Sequence, residues 1–138
     1  MSDNEQHSHQ SEASKLRERG HMVIDGRPCA ILKKSTLDYQ LYFVARDLFT
    51  GKELEATLDQ DASVEVPQVT RMEFPLSYID NGFLHLIEPG GTEKDNVRLP
   101  DNEIGRQITE FNEAGTDVTV TVIAAMGEEA AISVKEAC

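Results

Sequence analysis

The stretch Asn102 to Ile123, NEIGRQITEFNEAGTDVTVTVI, contains the change of hydrophobic period that decides how the second half of the chain is built. Asn102 stands where an N-cap belongs, Glu103 follows it, and Ile104, Ile108 and Phe111 recur at i, i+4 and i+7 until Gly115 ends the run. That spacing predicts one amphipathic helix of about three turns. From Val118 to Ile123 the period drops to two as Val alternates with Thr, and side chains branched at Cβ favour the extended chain, so a strand is predicted. Ala130 to Val134 returns beside it after the Gly127-Glu128-Glu129 turn.

Working upstream, Phe74 to Ile79, Phe83 to Ile87 and Asn96 to Leu99 are β-type runs separated by Asp80-Asn81-Gly82 and Pro89-Gly90-Gly91. Three strands, a helix and two strands is the order of the OB-fold, a five-stranded barrel whose helix plugs the gap between the third and fourth strands. Val66-Pro67 followed by Thr70-Arg71 marks a junction, because proline interrupts strand pairing and the charge balance turns acidic beyond it.

Before the junction, Met22 to Ile24, Cys29 to Leu32, Leu41 to Val44, Glu53 to Thr57 and Asp61 to Val66 predict a small β-barrel. Asp25-Gly26 suits a tight hairpin, and Arg27-Pro28 starts the next strand with a nitrogen that needs no partner. Residues 1–14 are polar and acidic, too poor in apolar side chains to repay ordering, and are expected to be a disordered tail. The expected organisation is a tail at 1–14, a barrel at 15–69 and an OB-fold domain at 70–138.

The 138 residues carry a formal charge of −12, concentrated beyond the junction. Excess carboxylate repels nucleic acid at long range, so phosphate contacts are expected on the first module, and DNA is not an expected partner. No run approaches the ~20 apolar residues that span a bilayer, and the first residues lack a basic-then-apolar leader, so a cytoplasmic protein without membrane partners is expected. Cys29, between Pro28 and Ala30, is assigned to packing, and Cys138 makes no disulfide framework with it.

No phosphate-cradling glycine loop, nucleophile elbow or metalloprotease helix is present, and an enzyme is not expected. His85 alternates with Leu84 and Leu86 and is read as an outward surface histidine, while Glu128 and Glu129 are read as solvated turn acids. His7-x-His9 has no preformed geometry, so no metal and no cofactor are expected. Phe74, Tyr78 and Phe83 are assigned to the barrel interior rather than to a base-stacking platform.

Five strings occur in order: Gly26-Arg27-Pro28-Cys29, Asp47-Leu48-Phe49-Thr50-Gly51-Lys52, Glu65-Val66-Pro67, Leu99-Pro100 and Ala125-Met126-Gly127-Glu128-Glu129-Ala130-Ala131. Together they make the chain, from about Leu16 to Ala137, resemble the eukaryotic translation initiation factor 5A family. That resemblance implies an SH3-like amino-terminal barrel before the OB-fold domain. It also implies a translation elongation factor that binds the ribosome near the exit site, contacts ribosomal and transfer RNA, and relieves stalled peptide-bond formation. Family members carry a glycine- and histidine-rich hairpin tip whose central lysine becomes hypusine. Here the corresponding segment, Leu37-Asp38-Tyr39-Gln40-Leu41-Tyr42-Phe43, has no lysine, histidine or glycine, so the modified lysine has no counterpart.

Lys33 and Lys34 precede the shortened loop of Leu37, Asp38, Tyr39 and Gln40 and are expected in strand, a poor place for a displaced modification. Arg27, Lys33, Lys34, Arg46 and Lys52 are the candidate RNA-facing bases, with ordinary solvated strand-edge residues as the competing reading. The expected function is a hypusine-less regulator or competitor at the ribosomal exit site. The alternative is a protein-interaction module on the same scaffold, using apolar residues around the tip.

Overall fold

The structure, a computed structural model, describes residues 8–137. They divide into two compact units, one running through Val69 with Ala125–Gly127, the other holding Thr70–Ala124 and Glu128 onward.

In the first unit, β1 (Ser8–Glu12) leads through a 3-10 turn (Ala13–Lys15) to β2 (His21–Ile24), β3 (Arg27–Leu37), β4 (Gln40–Asp47), β5 (Glu53–Asp59) and β6 (Ser63–Pro67). Strands β2 to β5 form a four-stranded sheet in chain order, and β1 pairs antiparallel with β6. Side chains on a strand alternate between faces, so Leu41, Phe43, Ala45 and Asp47 of β4 all point inward. Phe43 joins Met22, Ile24, Cys29 and Ile31 in a core that Ala13, Leu16 and Val64 complete.

Asp25 and Gly26 both take positive φ, 52° and 78°, as a two-residue hairpin between right-twisted strands requires. Pro28 sits opposite Val23, one residue before the β3–β4 ladder begins at Cys29 and Asp47, so its missing N–H costs no ladder bond.

Two expectations are corrected here. The disordered tail was expected to reach residue 14, but Ser8–Glu12 is a strand, with Ala13 and Leu16 buried behind it. Backbone pairing to β6 does not depend on side-chain polarity, and the Ser8 hydroxyl also donates to Glu65 at 2.5 Å. His7 and the rest of residues 1–7, like Cys138, lie outside the described residues, while His9 is an exposed β1 residue opposite Val66. The expected loop of Leu37, Asp38, Tyr39 and Gln40 also narrows to Asp38-Tyr39, because β3 runs through Lys33 and Lys34, as expected, and on to Leu37, held by its pairing with β4 from Cys29 to Leu37.

The second unit holds β7 (Val69–Asp80), β8 (Phe83–Ile87), β9 (Glu93–Arg98), α1 (Glu103–Glu113), β10 (Val118–Ala125) and β11 (Glu128–Glu136). The strand order β11-β10-β7-β8-β9, with β11 also lying against β9, is the OB-fold, and the first unit is the SH3-like barrel. Its core is Phe74, Leu84, Leu86, Val97, Ile108, Val120, Val122 and Ala131. Asn102 caps α1, its side-chain oxygen accepting from Ile104 N at 2.9 Å and Gly105 N at 3.2 Å. Gly105 is dictated by space, since a Cβ there would stand 1.8 Å from the Pro100 carbonyl oxygen.

Of the three aromatics assigned to the interior, only Phe74 is buried. Phe83 is half-buried beneath the Arg98 guanidinium, 5.1 Å from its ring centre, and Tyr78 lies on the outer face. The cause is a bulge in β7: Leu76 pairs with Leu86 but Tyr78 pairs with His85, so one extra residue turns the tyrosine outward.

Candidate functional site

The end of the β3–β4 hairpin is a two-residue turn, Asp38-Tyr39, closed by the pair Leu37 and Gln40. Asp38 takes φ 57°, a left-handed conformation that aspartate tolerates better than most residues. Strand β5 supports the hairpin to its tip, Gln40 pairing with Asp59 and its amide donating to the Asp59 carboxylate at 3.0 Å. Tyr39 is 88% and Leu37 53% exposed, whereas Leu41 is buried and Tyr42 half-buried.

The five candidate bases differ in what occupies them. Arg27 Nε donates to Asp47 Oδ2 at 2.7 Å and its terminal nitrogen to Oδ1 at 3.2 Å. Asp47 is 4% exposed and also accepts from Phe49 N and Thr50 N. The Arg27 hydrogen bond, with those two amides, outweighs the opposing effect of burial and holds the Asp47 carboxyl down at about 2. Lys34 Nζ donates to the carbonyls of Ser14 and Leu16 at 3.0 and 2.8 Å, fastening the 3-10 turn to β3. Arg46 faces Glu53 at 3.6 Å in an exposed pair.

Lys33 and Lys52 are exposed, and among the described residues no side chain pairs with either. Lys33 stands opposite Val44, with Arg46 two residues along β4, but Glu53 and Glu55 of β5 share that register. Tyr42 is held above the usual phenol range chiefly by its hydrogen bond to Glu55. The β3–β5 sheet therefore carries a mixed surface with one uncommitted lysine, Lys33, and a second, Lys52, in the connection before β5, not a continuous basic patch. Cys29 is buried, its thiol donating to the Arg27 carbonyl at 3.3 Å, and burial followed by the nearby Asp47 charge pushes it up.

In the second unit, a constellation gathers that the sequence reading missed. His85 points outward from β8, as expected, but it is not alone. Tyr78 stacks on its ring at 4.1 Å between centres, Glu93 contacts its Nδ1, and Asp95 is close enough for all three donor atoms to lie within 4.8 Å of one another. The Tyr78 hydroxyl donates to Glu93 Oε2 at 3.4 Å, and its phenol is raised by partial burial and then by Glu93, Asp80 and Asp95. Opposite Leu84 and Leu86 the β9 register also shifts, from Val97 to Lys94, so two β9 residues, Asp95 and Asn96, face His85 alone. Glu93-Lys94-Asp95 hinted at two acids on one face, but only the paired bulges bring them to the imidazole.

The family model described as eukaryotic elongation factor 5A hypusine, DNA-binding OB fold, matches residues 68–135. Eukaryotic translation initiation factor 5A-1 of Saccharomyces cerevisiae is 44% identical over 132 residues, covering 91% of this chain and 84% of that protein. Factor 5A-2 of Schizosaccharomyces pombe is 42% identical over 132 residues, covering 91% and 78%. A solved structure from Naegleria fowleri, a translation initiation factor of the same description, superposes with a TM-score of 0.86 at 26% identity, covering 94% of this chain and 99% of that one. The factor 5A of Methanococcus jannaschii, at 18% identity and a TM-score of 0.75, shares the fold.

Proposed function

The chain belongs to the eukaryotic translation initiation factor 5A family, and from that membership we propose that it binds the ribosome near the exit site as a hypusine-less regulator or competitor. The observation carrying this reading is the two-residue tip, Asp38-Tyr39, at the place where the resemblance puts a modifiable lysine. A long cation at a glycine-flanked tip can approach an RNA backbone closely; an aspartate and a tyrosine on a turn closed by strand pairing cannot. Lys34 is engaged by two carbonyls and Lys33 lies within β3, so neither supplies a substitute finger. The body of the factor remains, and with it the prospect of occupying the site without stimulating peptidyl transfer.

On this reading the ribosomal contacts come from the first unit, with Lys33 and Lys52 as the available phosphate partners, and the protein works in the cytoplasm without catalysing a reaction. Arg27 and Lys34 serve the fold. The acidic second unit disfavours general contacts with DNA or RNA.

Sedimentation of purified protein with ribosomes tests the proposal. Co-migration at low salt, together with an intact mass matching unmodified lysines, is the expected result; protein left at the top of the gradient sinks it. In a translation assay on a proline run, added protein should slow a hypusine-bearing factor rather than replace it. A second reading, a protein-interaction module, draws on the exposure of Leu37 and Tyr39 at the tip. Capture of non-ribosomal partners that is lost in a Tyr39→Ser variant, with no ribosome co-migration, would favour it.

A further inference from the structure

We propose that His85, Glu93 and Asp95 form a binding site for a divalent transition-metal cation of the zinc type. One imidazole nitrogen and two carboxylates are a mixed donor set of the kind such ions take, and the donor atoms already lie within 4.8 Å of one another. With metal–donor bonds of about 2.1 Å, neighbouring donors round a tetrahedral ion lie about 3.4 Å apart, so small side-chain rotations close the set. Glu93 and Asp95 are exposed enough to make them. The open side leaves room for water as a fourth ligand.

Three further features distinguish this arrangement from chance acids on an acidic surface. First, the ring is prearranged: the His85 side chain is only 14% exposed, and Tyr78 stacked on it fixes its plane. Second, Glu93 is itself oriented by the Tyr78 hydroxyl, the kind of outer partner that holds a ligating carboxylate in place. Third, the two bulges, in β7 and in β9, both converge on His85, and bulges serve to re-aim side chains.

A simple His–Glu ion pair needs only one carboxylate. Here Asp95 adds a second, and the nearby lysine, Lys94, is engaged elsewhere, 2.9 Å from Glu129. The excess negative charge matches a divalent cation. The imidazole selects zinc, nickel or cobalt over magnesium and calcium, which favour oxygen alone. This site stands independently of the ribosomal reading, since it involves neither the hairpin nor the bases of the first unit.

Isothermal titration of zinc chloride into the full chain tests the proposal, in a background carrying His7→Gln and His9→Gln to remove the His-x-His segment. Binding of one zinc per chain is expected, at least tenfold weaker in His85→Gln and in Asp95→Asn, with magnesium giving no comparable heat. Asp95→Asn alters an exposed side chain, and circular dichroism of the variant is the check that it folds. No stoichiometric zinc binding in the parent, or binding unchanged by either substitution, overturns the proposal. So does magnesium binding of equal strength.

Discussion

The β3–β4 hairpin of the first unit and the β7–β8–β9 sheet of the second both carry bulges and both carry ionisable side chains, yet those side chains are used in opposite ways. In the first unit the register slips between Ile31 and Lys33, leaving Leu32 in solvent, and two of the charged groups on the hairpin are absorbed by the fold. Arg27 satisfies the buried Asp47, and Lys34 bonds two carbonyls of the turn that precedes β2. In the second unit two bulges face each other across β8 and gather Tyr78, His85, Glu93 and Asp95 on an outer face, outside the buried core cluster. Charges that satisfy buried partners carry stability. Charges assembled on the surface without that duty are free to meet a ligand.

Substitutions can break this contrast. The largest expected effect is Asp47→Ala, which leaves Arg27 without its buried partner and two amides without an acceptor; a loss of about 3–5 kcal/mol in urea unfolding is expected. The counterpart in the second unit is steric: Gly105→Ala drives a methyl into the Pro100 carbonyl and should cost about 3 kcal/mol.

Acid sharpens the comparison next. The Asp47 carboxyl is held at about 2, below its unfolded value near 3.8, so its contribution is fully present above pH 4 and lost as pH falls toward 2. Unfolding followed through that window should show about 2 kcal/mol of acid-sensitive stability that Asp47→Asn abolishes. Lys34→Met should then cost about 1.5–2 kcal/mol while Lys33→Met changes stability by less than about 0.5 kcal/mol, a difference that thermal melting resolves. Equal losses would show that the two lysines are not divided as described.

Much of this was legible from sequence, and what was not has identifiable causes. The helix at Glu103–Glu113 was announced by Asn102 and the spacing of Ile104, Ile108 and Phe111, because cap chemistry and helical period are both local signals. The Asp25-Gly26 hairpin was legible for the same reason. Strand β1 was not, since Ser8–Glu12 earns its place through backbone bonds to β6, a partner more than fifty residues away that no local pattern names. The last residues of β3, Ser35-Thr36-Leu37, were hidden likewise, held extended by β4. At the candidate sites, sequence identified the bases and the shortened loop, but not that Arg27 and Lys34 would be occupied. The grouping round His85 depends on two register slips, and an alternating pattern read strand by strand contains no information about either.

The clamped turn at Asp38-Tyr39 has a practical corollary. Leu37 and Gln40 hold the two chain ends a fixed short distance apart, and β5 braces one of them, so the hairpin is a ready socket for a transplanted loop. Because closure entropy grows only with the logarithm of loop length, lengthening the turn from two residues to about eight should cost only about 1 kcal/mol. A glycine-rich, lysine-bearing insert grafted there would return a cationic probe to an otherwise unchanged scaffold, turning loss of the finger from an inference into a reversible operation.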